Sequence, residues 1–334
     1  MGLLTLLATI PLTTTFPLIA TAVLLSLVYY RRFQHPLSCI PGVFFCHVSS
    51  LWTYIHSYVG DEATLITDFH ARYGPVIRVA PNEVCIADGS CLAPIYSDKG
   101  GFAKAPCYKN FDIDGFASLF SELNKGARAP KAKSVQPLFS TGNLRLGEQV
   151  LEECVGRFVG RLRGERDKPA RDGHGRTVNV LDLSRSLALD AVTAYLFGKS
   201  YGGLEEGDEK HQTKEKHESP KMHMSANEFV DAFVGVGRFF YLPNWIFAAA
   251  EMAADKFFGT KETADSMTKV DDFVRTVVRQ ADPYDGTYPG RMLAAGLGPD
   301  EVVAQCKDLM FAGTDSSGMN LSTLCWQLAR HPDM

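Results

Sequence analysis

One long helical pattern near the C-terminal end limits what this chain can fold into. Gly298-Pro299-Asp300-Glu301 has the composition of a helix start, with proline in the first turn and acidic residues beside it. Apolar residues then recur at helical spacing as far as Leu328, and the pattern stops at His331-Pro332. A helix of about 30 residues is about 45 Å long, enough to cross a whole domain. The sequence therefore predicts a mainly helical domain crossed by this helix.

The middle of the predicted helix breaks several local rules at once. Its sequence, Phe311-Ala312-Gly313-Thr314-Asp315-Ser316-Ser317, places a carboxylate among apolar residues. Gly313 and Gly318 weaken a helix, and the hydroxyl side chains can bond backbone carbonyls and bend it. Local rules that fail together usually mark a functional site, so we predict one here.

The N-terminus has the character of a membrane segment. Residues 1–30 carry no Asp, Glu, Lys or Arg, and the apolar run Leu3–Tyr30 ends at Arg31-Arg32. Roughly 20 apolar residues span a bilayer, and two prolines confine regular helix to about Phe16–Tyr30 plus a turn upstream. A retained anchor and a cleaved signal peptide both fit, since Ala20-Thr21-Ala22 is a small-x-small site. The positive charges follow the apolar run, which favours an anchor with the rest of the chain in the cytosol.

The remaining sequence predicts one domain joined to this anchor by a short hinge. We expect an anchor over residues 1–32, a Pro/Gly hinge over 33–42 and a domain over 43–334. Periodicity and turn signals within the domain predict helices over Asp61–Tyr73, Leu144–Leu162 and Val180–Phe197, a β-hairpin of Val76–Ala80 and Val84–Ala87, and a helical pair within Phe229–Phe258. Two polar loops are expected at Gly164–Arg176 and Gly202–Lys221.

The composition excludes several classes of function. Hydrophobic residues make up 46% and charged residues 22% of the chain, so it is globular. The formal net charge of −4 argues against binding nucleic acid by phosphate neutralisation. The eight cysteines show no C-x-x-C pair and no Cys/His cluster of zinc spacing. We therefore expect most of them to be reduced, buried thiols. His211, His217 and His223 fit a solvated loop better than a metal site.

Taken together, these features resemble the cytochrome P-450 family of haem-thiolate monooxygenases, in particular its fungal, membrane-anchored members. The family's long central helix carries the motif A/G-G-x-D/E-T-T/S, which Ala312, Gly313, Asp315, Ser316 and Ser317 match. The anchor, the Pro-rich hinge and the first helix followed by a β-hairpin match as well. The resemblance implies a mainly α fold with a small β-sheet, namely the N-terminal portion of the cytochrome P-450 fold plus an N-terminal transmembrane helix.

The resemblance also implies roles for residues of the motif. Asp315 and Ser316 would be the acid and the alcohol of a proton relay, with Ser316 standing where the family usually has threonine. Ala312 and Gly313 have almost no side chain, so the helix backbone could approach a haem face. The alternative for Asp315 is a structural carboxylate bonded within the helix packing.

Further contacts follow from the same resemblance. The family's propionate-binding helix carries cations, which makes Arg128, Lys131 and Lys133 candidates for haem binding, although a solvated basic stretch fits equally well. The aromatic residues Phe111, Phe116 and Phe311 would line the substrate side. The implied partners are an NADPH-cytochrome reductase, an apolar small-molecule substrate and the endoplasmic reticulum membrane.

Two motifs of the family are not found in these residues. One is the F-x-x-G-x-R-x-C-x-G loop with the axial cysteine; only Cys154 has the C-x-G half, and Val150 stands where the glycine is required. The other is the E-x-x-R pair. Both follow the central helix in the family, so we expect a fragment that does not hold haem alone in the family's manner. Two functions stay open: a monooxygenase oxidising an apolar small molecule in specialised metabolism, and a truncated, haem-free membrane protein (a pseudogene product or an interaction partner) without catalytic activity.

Overall fold

The computed structural model describes residues 12–97, 101–167, 178–206, 224–258, 260–331 and 333. Over these residues the chain is mostly α-helical with one two-stranded antiparallel sheet, which confirms the predicted fold class. The chain divides into two compact units, Met1–Phe102 and Ala103–Met334. The predicted histidine-containing loop after Glu206 lies outside the described residues, as does most of the loop predicted over Gly164–Arg176.

The first unit contains the apolar helix and the β-hairpin. Its elements are α1 (Leu12–Tyr29), α2 (Phe44–Val48), α3 (Leu51–Val59), α4 (Glu62–Tyr73), β1 (Val76–Ala80), β2 (Glu83–Ile86) and α5 (Leu92–Tyr96). The span Thr15–Gln34, which includes a π-helical turn after α1, is long and apolar enough to cross a membrane and is not buried in the protein. A signal sequence meets the same criterion, so both interpretations of the N-terminus remain.

The β-hairpin has the predicted position within one residue. Val76 pairs with Ile86 and Arg78 with Val84, and an irregularity in register follows Arg78. Residues 77–80 of β1 are buried, whereas β2 lies nearer the surface.

The second unit is a helical assembly around the longest helix. Its elements are α6 (Lys125–Val135), α7 (Thr141–Leu146), α8 (Glu148–Asp167), α9 (Val180–Phe197), α10 (Asn227–Gly237), α11 (Asn244–Phe258), α12 (Lys261–Gln280), α13 (Tyr288–Ala294) and α14 (Pro299–Arg330). Helix α9 has the predicted bounds, because the Asn179 side chain caps its start and Gly198 ends it in the left-handed conformation with φ 70°. The helix predicted over Leu144–Leu162 is instead divided at Gly147, where an added Cβ would lie 2.3 Å from the Tyr195 ring.

Helix α14 forms the centre of the core, as its length predicts. It has 32 residues, or about 48 Å, and it packs against α9, α10, α12 and α13. Val302, Cys306 and Met310 on its N-terminal half are completely buried and join the main apolar cluster. Beyond Gly318 the helix is more open, and Leu324 and Trp326 are about half exposed.

Candidate functional site on the long helix

Two glycines bring α14 into close contact with α9. A Cβ at Gly313 would lie 2.6 Å from Val192 Cγ2, and a Cβ at Gly318 would lie 2.6 Å from Arg185 Cγ and 3.1 Å from the Arg185 backbone nitrogen. Both positions therefore require the small residue for helix packing. The structure thus places Gly313 against α9, whereas the sequence analysis assigned it to a cofactor face, and its contact with a cofactor stays a prediction.

The carboxylate of the motif belongs to a charged group that joins three helices. The Arg185 side chain of α9 is only 8% exposed and donates from Nη2 to Asp315 Oδ1 at 2.7 Å. Its Nη1 donates to Asp231 Oδ1 of α10 at 2.9 Å. Burial lowers the pKa of Arg185, but the hydrogen bonds to the two carboxylates outweigh it, so the pKa is raised overall. Arg185 therefore stays charged and holds the Asp315 carboxylate against α9.

Arg185 and Asp231 are functional candidates that the sequence analysis missed. Arg185 is the single basic residue of α9. It was the available signal, because a buried cation needs a carboxylate partner. Its partners lie 46 and 130 residues away along the chain. Only the three-dimensional structure identifies them.

The predicted alcohol lies on the exposed side of the same helix. Ser316 Oγ donates to the Ala312 carbonyl at 2.7 Å, and both residues are exposed. They are one helical turn apart and share a face. The Asp315 and Ser316 side chains thus occupy neighbouring positions but bond different partners. Nearby in the motif, the Thr314 hydroxyl is fully buried and has no hydrogen-bond partner among the described residues.

The predicted substrate-lining aromatics fall into separate groups of rings. Phe311 stacks on Phe233 of α10, with ring centroids 4.7 Å apart. Phe111 packs against Phe120 and Phe240 at centroid distances of 5.5 Å and 5.4 Å. Phe116 is 36% exposed, and its backbone forms an isolated bridge with Ile113. The described ring contacts do not join the Phe111 and Phe311 groups.

Polar residues of α14 hold the segment of residues 111–120, which contains Phe111 and Phe116. Gln305 Oε1 accepts from the Leu119 amide and Gln305 Nε2 donates to the Ala117 carbonyl, both at 2.9 Å. Lys307 Nζ lies 2.7 Å from Asp114 Oδ2. The Gln305 side chain is 1% exposed, so these hydrogen bonds are shielded from water. The segment is therefore fixed to the central helix through its backbone.

Asp308 adds a titratable group to this contact. Its carboxylate accepts hydrogen bonds from the Ser118 hydroxyl and the Phe120 amide, and the Lys104 ammonium lies nearby. Burial raises the pKa of Asp308 to about 6, although these three groups act in the opposite direction. The sequence analysis did not single out Asp308, because the groups that interact with it, Lys104, Ser118 and Phe120, lie about 190 to 200 residues away along the chain.

The three basic candidates on α6 have different surroundings. Lys131 Nζ lies 2.5 Å from Glu301 Oε1 and 3.9 Å from Glu122 Oε2, so its charge is already compensated within the protein. Arg128 Nε donates to the Leu119 carbonyl at 2.9 Å, and the residue is exposed. Lys133 is also exposed. Arg128 and Lys133 are thus the cations of this set that remain accessible to an external anion.

The residues of this site fit one side of the haem that the resemblance implies. A haem needs a face of small residues, cations for its propionates and an axial ligand. The exposed Ala312 and Ser316 surface suits the first requirement, and the accessible cations on α6 suit the second. Among the described residues, no group of three or more His, Cys, Asp or Glu side chains could hold a metal ion. Burial raises the pKa of Cys306 far above its ordinary value, which disfavours a thiolate there.

Comparisons with known proteins agree with the motif in α14. Residues 49–334 match the family model described as Cytochrome P450. The chain is 35% identical over 328 residues to "Cytochrome P450 monooxygenase mfmF" of Annulohypoxylon moriforme, covering 94% of this chain and 64% of that protein. It is 30% identical over 190 residues to "Cytochrome P450 monooxygenase gsfF" of Penicillium aethiopicum, covering 56% and 36%. It is 25% identical over 311 residues to "Cytochrome P450 monooxygenase BOT4" of Botryotinia fuckeliana, covering 91% and 56%. The chain thus spans 36% to 64% of the length of these relatives.

Proposed function

The chain belongs to the cytochrome P450 family, and on that premise we propose that it is part of a haem-dependent monooxygenase that oxidises an apolar small molecule in fungal secondary-metabolite biosynthesis. The observation that carries the proposal is the exposed face of α14 formed by Ala312 and Ser316 within the family's motif. In this proposal, α1 anchors the protein in the endoplasmic reticulum membrane and the bulk of the chain is cytosolic. Electrons come from NADPH through a cytochrome reductase partner. The haem, when bound, supplies the oxygen-activating chemistry.

The role of Ala312 and Ser316 follows from their positions on the helix. Ala312 presents only a methyl group, so a flat cofactor can lie close to the helix backbone. The Ser316 hydroxyl donates to the Ala312 carbonyl at 2.7 Å. Rotation of this hydroxyl away from the carbonyl lets it donate a proton on the cofactor side and accept one in return. Serine lacks the methyl group that restrains threonine, so this relay is less rigid than the family's usual one.

Asp315 supplies the relay with protons from solvent. Its side chain is 25% exposed, so water reaches the carboxylate. The ion pair with Arg185 fixes the side chain in one orientation. The proposed relay therefore uses a carboxylate that is held in place and is also reached by water.

The apolar substrate is placed by aromatic side chains. Phe311 next to the motif and Phe111 in the segment held by Gln305 supply the apolar surface. Phe116 lies in the same segment as Phe111 and is exposed. Arg128, Lys131 and Lys133 are proposed to neutralise the haem propionates. Of these, Lys131 must exchange Glu301 for a propionate to do so.

A haem-free membrane protein is the second candidate, favoured by the lack of the family's axial cysteine motif within these residues. The two candidates predict different transcripts downstream of codon 334. An open frame that leads to the E-x-x-R and cysteine-loop motifs supports the monooxygenase, whereas a stop confirmed in transcripts supports the haem-free protein. For the present chain alone, we expect no thiolate-type absorption band with carbon monoxide after reduction. Appearance of that band in the purified chain would show that the axial ligand lies within these residues.

Site-directed variants of the longer product test the assigned roles. Ser316→Ala should reduce product formation by about a hundredfold, because it removes one proton-transfer group. Ser317→Ala is the matched control, since Ser317 is the adjacent exposed hydroxyl of the same motif. Equal loss in both variants would argue against the assigned relay.

A further inference from the structure

A histidine of α4 and a cysteine of β2 form a hydrogen-bonded pair in the first unit. His70 Nε2 lies 3.3 Å from Cys85 Sγ, and both residues are partly exposed. The two are 15 residues apart along the chain, so the fold brings them together. A thiol beside an imidazole that can accept its proton is the arrangement that activates a cysteine nucleophile. The pair therefore has the chemistry of a modification site, separate from the site on α14.

The end of α4 decides which imidazole nitrogen faces the thiol. His70 Nδ1 lies 2.9 Å from the Gly74 carbonyl oxygen, which can only accept a hydrogen bond. Nδ1 therefore carries the proton of the neutral ring, and Nε2 presents its lone pair to Cys85. Gly74 ends α4 with φ 101°, a value that favours glycine. The backbone at the end of this helix thus holds the imidazole as a hydrogen-bond acceptor for the thiol.

The β-hairpin holds the sulfur in front of this nitrogen. Cys85 pairs with Ile77 of β1, so the two side chains lie on the same face of the sheet. Ile77 is completely buried, and α4 packs against β1. Cys85 meets His70 at this packing contact but is itself partly exposed. The sulfur is therefore fixed by regular secondary structure without being closed off from solvent.

The surroundings of Cys85 keep its thiol protonated at neutral pH. Burial raises the pKa of Cys85, and the charge of Glu62 acts in the same direction, against a backbone hydrogen bond at Ile86 that lowers it. A protonated thiol is a weak nucleophile, because the thiolate is the reactive form. Attack by this sulfur therefore needs a base that removes the proton, and His70 Nε2 is in position to do so.

We propose that Cys85 is a site of covalent modification by soft electrophiles of the α,β-unsaturated carbonyl class, with His70 as its base. Sulfur is soft and polarizable, which suits an uncharged carbon electrophile. As the sulfur–carbon bond forms at the β carbon of the electrophile, the Cys85 proton passes to His70 Nε2 and the alkene electron pair moves to the carbonyl as an enolate. A proton then returns from His70 to the α carbon, so no atom leaves and no oxidant is needed. The proposal is independent of haem and of the assignments on α14.

Competitive labelling of the full chain with N-ethylmaleimide tests the proposal. The purified protein in detergent reacts with a limiting amount of this reagent, and mass spectrometry of its peptides gives the modified fraction of each cysteine. Cys91 is the matched control in the same sample, because it is a free, partly exposed thiol of the same unit. His70→Asn keeps an amide that can donate to the Gly74 carbonyl and removes the base. His70→Gln places an amide towards the Cys85 sulfur instead, and thermal melting shows whether both variants fold.

In the wild type, Cys85 should be modified at least about tenfold faster than Cys91. Both His70 variants should slow the modification of Cys85 by about tenfold to a hundredfold and leave Cys91 unchanged, because one proton-transfer group is lost. The wild-type rate at Cys85 should also be lower in D2O than in water, since a proton moves as the sulfur attacks.

Three results would overturn the proposal: a Cys85 rate no higher than that of Cys91, a Cys85 rate that neither variant lowers, or a Cys85 rate that is the same in D2O and in water. The first and third comparisons use the wild type alone. They therefore decide the question even if substitution of His70 unfolds the protein.

Discussion

Replacement of Gly318 by alanine tests the packing that positions the candidate site. In an exposed helix interior, Gly→Ala stabilises a protein by about 1 kcal/mol. At Gly318 the new Cβ would lie 2.6 Å from Arg185 Cγ and 3.1 Å from Arg185 Cα and N, where ordinary contacts begin at 3.4 Å. The last two atoms belong to the backbone of α9, so side-chain rotation cannot relieve the contact and the helices must separate. Overpacking of this kind costs about 1–3 kcal/mol.

The net expectation is a destabilisation by Gly318→Ala of about 1 kcal/mol, after the gain in helix propensity is subtracted. Gly160→Ala is the matched control, because Gly160 lies in the exposed interior of α8 and an added Cβ there meets nothing within 4 Å. The control should be stabilised by about 1 kcal/mol. The two variants should thus differ by about 2 kcal/mol, which is roughly 4–8 °C in melting temperature for a unit of this size.

The measurement is thermal unfolding of the purified full chain in one detergent, followed by far-ultraviolet circular dichroism. Gly318→Ala should melt below the wild type and Gly160→Ala above it. If Gly318→Ala melts at or above the temperature of Gly160→Ala, the close approach of α14 to Arg185 is wrong. The assigned partner of Asp315 would then be in doubt as well.

Three further predictions concern the charged and polar contacts of α14. Arg185→Leu should destabilise the protein by about 2–4 kcal/mol, since it leaves Asp315 unpaired. Adding Asp315→Asn to this variant should recover about 1 kcal/mol or more, and strictly additive free energies in the double-mutant cycle would contradict the ion pair between Arg185 and Asp315. The raised pKa of Asp308, about 6, means that the folded protein binds this proton more tightly than the unfolded chain. The free energy of unfolding of the wild type, relative to that of Asp308→Asn, should therefore fall by at most about 3 kcal/mol as pH rises from about 4 to about 6. A difference in melting temperature that stays constant across that pH range would refute the raised pKa of Asp308. Gln305→Ala should speed hydrogen exchange of the Leu119 amide by about tenfold or more, and unchanged exchange would show that the segment is held by other contacts.

The elements that the sequence predicted are those whose limits are set locally. Helix α14 begins at Pro299 after Gly298, and α9 runs from the residue after its Asn179 cap to the residue before Gly198. The hairpin is short and has turn residues at its centre. In each case the residues that start and stop the element lie within or beside it, so periodicity and capping are sufficient.

The features that the sequence did not predict depend on distant contacts. The break at Gly147 reflects the ring of Tyr195, which periodicity within residues 144–162 cannot reveal. Gln305 holds amide and carbonyl groups that lie 186 and 188 residues away along the chain. The motif could be located from its unusual composition, but the charge that balances Asp315 could not, because nothing near Asp315 in the sequence indicates α9.

The two interpretations of Asp315 that the sequence left open are compatible in this arrangement. A structural carboxylate that takes up a proton normally leaves its partner unpaired, and a buried unpaired charge costs about 3–5 kcal/mol. Arg185 has a second carboxylate, because its Nη1 bonds Asp231 at 2.9 Å while its Nη2 bonds Asp315 at 2.7 Å. If the charge of Asp315 is removed, as in Asp315→Asn, Asp231 still balances the guanidinium, so the penalty is smaller than in an isolated buried pair. The Asp231 side chain is 64% exposed, so water stabilises its negative charge. The group that fixes Asp315 in the helix packing therefore tolerates loss of the Asp315 charge, which the proposed relay requires.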